Sequence, residues 1–145
     1  MKKTILLIFI GTCFFAACNS TQKSSRDTDS SRLSGNWELT FISGQRIAFE
    51  VLYPVKKPYI SFDQINKIVS GNTSCNNFNG SFKLEGNKIS FPEPMTMTKM
   101  ACLDGNGETV FLETLNKITN YSIDKNRNTL HLNAGDIELM ELTKK

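Results

Sequence analysis

The chain has 145 residues, 39% hydrophobic, 21% charged and 10% aromatic, a globular composition of one-domain length that excludes a disordered, collagen-like or coiled-coil chain. Its 17 basic and 14 acidic residues give a formal net charge of +3, too slight to argue for nucleic-acid binding. One histidine and four cysteines leave too few ligands for most zinc and acid–base sites.

Lys2 and Lys3 precede an apolar run from Ile5 to Ala17 that only Gly11 and Thr12 interrupt. Two lysines ahead of about 13 mostly apolar residues read as a secretory signal peptide, since a spanning helix needs roughly 20. Phe15-Ala16-Ala17-Cys18 resembles the lipobox of bacterial lipoproteins, with Phe15 where Leu is usual. The resemblance implies removal of residues 1–17, a diacylglyceryl group on the Cys18 thiol and acylation of the new amine. The other reading is an ordinary signal peptide cut at a nearby Ala-x-Ala-like site. Two or more acyl chains, each contributing about 0.8 kcal/mol per buried CH₂, would hold the protein on a bilayer, so the membrane is an expected partner through Cys18. Asn19 rather than Asp follows the cysteine, which favours the outer over the inner membrane.

Asn19 to Arg32 holds five serines, two threonines and mixed charges with no apolar residue. Residues 18–32 therefore read as a lipidated cysteine on a disordered polar tether, reaching on the order of 20 Å. Without Lys2 and Lys3 the 17 basic residues fall to 15 against 14 acidic, and from Leu33 onward the count is 12 against 12. The basic excess belongs to the leader, and nucleic acid is not an expected partner. With Cys13 discarded and Cys18 acylated, Cys75 and Cys102 remain. An exported pair favours a disulfide worth roughly 2–4 kcal/mol; two buried free thiols are the other reading.

From 33 to 145, short alternating runs between Gly, Asn and Asp turns predict a mostly β, α+β domain. Its small antiparallel sheet would be closed or nearly closed into a barrel, with one helix packed on it. Trp37, Leu39 and Phe41 alternate onto one face, and Ala48 to Tyr53 reads as a strand or an irregular stretch. Tyr59 to Phe62 pairs with Lys67 to Ser70 across a turn at Asp63–Asn66. Ser81 to Leu84 and Lys88 to Phe91 form a hairpin with Phe82, Leu84, Ile89 and Phe91 on the core face. Val110, Phe111, Leu115 and Ile118 repeat at helical spacing between Gly107 and Asn120, with Glu108 in the first turn. Strands at Tyr121–Ile123, Thr129–Leu132 and Ile137–Leu142 complete seven or eight.

The segment from Gly71 through Cys75, Asn76, Phe78 and Gly80 to Phe82 resembles the Gly-x-x-Gly-Cys-Asn-x-aromatic-x-Gly-x-aromatic motif of the META domain, the family of HslJ-type bacterial heat-shock proteins. Ser74 stands where Gly is usual. Downstream, Thr98-Lys99-Met100-Ala101-Cys102 resembles the family's Thr-x-Met-Ala-Cys, followed by Glu108 and the helix, and Trp37 fits its opening strand. The resemblance spans residues 36–142. Gly71 and Gly80 frame a chain that must turn tightly, with Asn72, Asn76, Asn77 and Asn79 as turn formers. These asparagines are either a polar pocket or turn chemistry beside a disulfide. Met95, Met97 and Met100, with Thr96 and Thr98, read as a strand or bulge whose thioethers fill the core, or as a methionine copper site.

No Gly-x-Ser-x-Gly, P-loop, His-Glu-x-x-His or Cys-x-x-Cys occurs. His131 sits between Leu130 and Leu132 in an alternating strand and is expected on the polar side. The expectations are no catalytic residue, metal or cofactor. The resemblance implies a non-enzymatic envelope lipoprotein with a protein partner and a stress-tolerance role; the alternative is a periplasmic carrier of lipid or a small apolar ligand.

Overall fold

The computed structural model describes residues 26–44, 48–102 and 105–145; the leader and Cys18 lie outside them. Helix α1 spans Arg26–Leu33, α2 Phe49–Leu52 and α3 Gly105–Leu115. The strands are β1 Gly35–Ile42, β2 Tyr59–Asp63, β3 Ile68–Asn72, β4 Asn77–Ser81, β5 Lys83–Glu85, β6 Lys88–Ser90, β7 Thr96–Met97, β8 Asn120–Asp124, β9 Thr129–Ala134 and β10 Ile137–Lys144. All ten join one antiparallel sheet, in the order β5-β6-β8-β9-β10-β1-β2-β3-β4-β7. The expected mostly β class with a curled, barrel-like sheet holds.

The sheet is curled by its own connectivity. Strand β4 lies next to one end of the order and β5 at the other, yet only Phe82 separates them in sequence. Phe82 is 1% exposed, donates its N–H to the Lys67 carbonyl and meets Phe62 edge-on at 5.2 Å. A flat ten-strand sheet could not be crossed by one residue, so the ends approach one another.

The concave side holds the core. Trp37, Leu39, Ile60, Leu130, Leu132 and Leu142 are at most 1% exposed, and α3 packs Phe111 and Leu115 into the same interior. Phe78 of β4 meets Phe111 at 5.8 Å, fixing the helix against the motif strand. The expected Phe82, Leu84, Ile89 and Phe91 face points into this core.

Four local expectations are corrected. The polar stretch read as coil through Arg32 is helical from Arg26, because its end is anchored: Leu33 is fully buried and its carbonyl accepts Trp37 Nε1–H at 2.7 Å. Ala48 to Tyr53 contains a helical turn rather than a strand. Leu52 and Tyr53 are consecutive and both 4% exposed, which strict alternation forbids. The helix expected to reach Asn120 stops at Leu115, where bonds from Lys117 to Thr114 and Ile118 to Leu115 tighten the chain into β8. Finally, Phe41 is 45% exposed and Ile42 buried, because β1 shifts register against β10 between Leu39 and Phe41. This bulge at Thr40 flips the remainder of the strand.

Candidate functional site

The hairpin β3–β4 carries the motif. Its turn is closed by Thr73 N–H to the Asn76 carbonyl at 2.9 Å and by Ser74 N–H to Asn72 Oδ1 at 3.0 Å. Ser74, where Gly is usual, has φ 90°, a conformation side chains avoid. The glycines frame the hairpin differently from expectation: Gly71 and Gly80 lie inside paired strands, not in the turn. A Cβ on Gly71 would come within 2.1 Å of the Tyr59 carbonyl and 2.7 Å of the Phe78 ring, and one on Gly80 within 2.9 Å of Met95 Cγ. They are required for close approach of neighbouring strands and side chains.

Asn76, 3% exposed, is the centre of the site. Its Oδ1 accepts the Thr98 hydroxyl and the Met100 N–H, both at 2.8 Å. Its Nδ2 donates to Glu108 Oε1 at 3.1 Å and to the Met100 carbonyl at 3.4 Å. Four partners saturate the amide. Glu108 Oε2 accepts the Thr73 hydroxyl and the Asn76 backbone N–H. Thr98 closes the other side, accepting Asn77 N–H at 3.0 Å. One amide and one carboxylate therefore join the hairpin, the segment 98–102 and the first turn of α3.

The disulfide Cys75–Cys102 links the same hairpin and segment, with Cα atoms 6.0 Å apart, resolving the two cysteine readings toward a bond. Behind it, Tyr53, 4% exposed, donates its hydroxyl to the Gly107 carbonyl at 3.0 Å, and burial pushes its phenol well above the ordinary value. A hollow of about 320 Å³ opens beside the disulfide between Val55, Lys56, Met100 and Ala101. Val55 is 96% and Met100 58% exposed.

The structure thus brings together Cys75, Asn76, Thr98, Met100 and Cys102, with Gly71 and Phe78 paired on the adjoining strands and Gly80 farther along β4 against Met95; Cys18 lies outside the described residues. Phe78 is a core residue, 2% exposed. Of the asparagines, Asn72 serves the turn through Ser74 N–H and Asn77 Oδ1, while Asn76 gives its amide to Glu108, Thr98 and Met100. Core-filling methionines are corrected: of the three, Met95 packs against the core, while Met97 and Met100 are exposed, and the Thr96 and Thr98 hydroxyls bond the Asn79 carbonyl and Asn76 Oδ1. Thr73 and the bridging role of half-buried Glu108 were not read from sequence. A carboxylate at a helix start looks like ordinary dipole chemistry until the hairpin is placed against it.

No curated protein matches the chain. Among solved structures, the fold is similar to an NMR structure of a protein from Burkholderia xenovorans, with TM-score 0.63 and 20% identity over 80% of this chain and 86% of that one. It is also similar to a DUF4847-family protein from Bacteroides vulgatus, with TM-score 0.51 and 14% identity over 78% of this chain and 94% of that one. At such identities the likeness is one of fold. The META domain model, by contrast, matches residues 31–145, covering every element from the end of α1 to β10 and the whole Asn76–Glu108 junction, and the chain belongs to the META domain family.

Proposed function

We propose that this META-domain protein is a non-enzymatic lipoprotein of the bacterial cell envelope. It is held by lipid at Cys18, preferentially in the outer membrane, and acts through contact with an envelope protein in stress tolerance. The observation that carries this reading is the filled interior: Trp37, Leu39, Phe111, Leu130, Leu132 and Met140 occupy the space that a carrier would keep open for an apolar ligand. The polar groups of the motif are likewise spent internally, while Val55 and Met100 present apolar surface near the disulfide.

The test has two arms. Palmitate-analogue labelling should mark the wild type and not Cys18→Ala, and that variant should leave the membrane fraction; persistence on the membrane overturns the anchor. Crosslinking of the anchored protein in intact cells should then give a discrete adduct that Val55→Asp or Met100→Asp removes. Copurified lipid with no protein adduct would overturn the contact reading in favour of the carrier.

A further inference from the structure

The outer face of β1, β9 and β10 carries a cluster that alternation alone would not assemble. In β10, Met140 and Leu142 point into the core and Glu141 points out, so Glu138, three residues from Glu141, should point in. A second bulge prevents this. The register of β10 against β9 shifts between Glu138 and Met140, leaving Leu139 as the extra residue. Glu138 now pairs with Asn133 and Glu141 with His131, and because Asn133 and His131 share a face, so do both glutamates. His131 Nδ1 lies 2.5 Å from Glu138 Oε1, with the side chains 22% and 40% exposed. One donor atom from each of His131, Glu138 and Glu141 falls within 4.8 Å of the other two.

The bulge in β1 contributes to the same place. Thr40 is its extra residue and faces outward beside Glu141, where its hydroxyl lies 3.0 Å from the Glu141 carbonyl and 3.3 Å from Glu141 Oε1. Thr40 is therefore placed to orient this carboxylate, the part that outer-shell hydroxyls play around metal ligands. Arg127, whose charge also feels Glu141, is bound to Asp124 at 2.6 Å. Two carboxylates thus face one imidazole at a spot where a bulge has re-aimed Glu138 on a paired sheet.

We propose that His131, Glu138 and Glu141 are a binding site for a divalent transition-metal ion, Zn²⁺ in particular. One imidazole nitrogen with two carboxylate oxygens is a borderline donor set that zinc accepts, leaving a fourth position for water. Donors on one tetrahedral zinc lie roughly 3.4 Å apart. The His131–Glu138 contact is shorter than this, so an ion there takes the place of the bridging proton, and the broad terminal torsions of the two glutamates let the carboxylates adjust to that separation without moving the strands. Magnesium and calcium, which take oxygen ligands, have no use for the imidazole.

The test uses the full chain in detergent without an affinity tag, so that its single histidine is the only imidazole in the sample. Titration with zinc chloride, followed by calorimetry and by long-range ¹H–¹⁵N spectra of the ring nitrogens, should give one equivalent bound and a shift of the His131 resonances. His131→Ala should abolish that equivalent, Glu138→Gln and Glu141→Gln should each weaken it by well over tenfold, and Thr40→Val by about tenfold. Unmoved ring resonances in the wild type, binding that survives His131→Ala, or equal binding of magnesium would each overturn the site. The ring spectrum is read on the unsubstituted protein and so stands even where a variant folds poorly.

Discussion

Two parts of the interior are equally buried and built from opposite chemistry. Under the β9–β10 ladder, Leu130, Leu132, Met140 and Leu142 are fully buried and apolar. At the β3–β4 hairpin, Asn72, Thr73 and Asn76 are at most 3% exposed and polar. The first region is held by area removed from water, which is non-directional and forgiving of shape changes at constant volume. The second is held by saturated hydrogen bonds, in which each group satisfies several others and no isostere replaces it. Phe78 on Phe111 gives the hairpin and α3 an apolar contact, and the amide–carboxylate joint fastens segment 98–102 to both.

The contrast breaks most readily at Asn76. Asn76→Leu keeps the volume but strands the Glu108 carboxylate, the Thr98 hydroxyl and the Met100 N–H, and should cost about 3–5 kcal/mol in urea denaturation. The equivalent exchange in the apolar region, Leu132→Met, should cost less than about 1.5 kcal/mol. Equal costs would mean that the two regions are held alike.

Next in size is the covalent link across the same joint. With a sequence separation of 27 between its cysteines, replacing both Cys75 and Cys102 by Ala should lower stability by roughly 2–4 kcal/mol. A loss below about 1 kcal/mol, measured by thermal melting, would leave the hydrogen bonds as the sole fastener.

Tyr53 sharpens the comparison through pH. Its folded phenol is held above the ordinary value of 10.0 by burial, so below that pH both states are protonated and its contribution is complete. As pH rises past 10.0 the unfolded chain ionises first and stability falls. Tyr53→Phe should cost about 1 kcal/mol at neutral pH by losing the bond to Gly107, and should flatten the alkaline decline relative to the wild type. Parallel alkaline profiles for the two proteins would argue against the assignment.

The smallest effect has the opposite sign. Ser74 holds φ 90°, so Ser74→Gly relieves the backbone by more than glycine's extra freedom in the unfolded chain costs, and should stabilise the hairpin by about 0.5 kcal/mol in urea denaturation. A destabilised Ser74→Gly would mean that the Asx turn to Asn72 depends on the serine.

The sequence made the apolar region legible and the joint only half so. Alternation at Tyr59 to Phe62 and Thr129 to Leu132, with turn residues at Asp63–Asn66, is a local property, and those strands lie where it puts them. Phe41 and Glu138 face opposite to their alternation because bulges are decided by the strand opposite. Asn76 and Cys75 stood out through a family motif, but the saturation of Asn76 by Glu108 depends on a helix arriving 32 residues later, which no local pattern encodes. The helix at Arg26–Leu33 was missed for a similar reason: its polar composition argues for coil, and its last residue is fixed by Trp37.

The passage of the chain from β4 to β5 through Phe82 also bears on how the molecule avoids its own kind. Strands β5 and β7 end the sheet, and a sheet end is a template on which another chain can pair. By tying β5 directly to the neighbour of β7, a single residue turns both templates toward the same short gap and keeps either from being offered as a flat, open edge. Lengthening that one-residue bridge would let the sheet uncurl and offer its edges to intermolecular ladders.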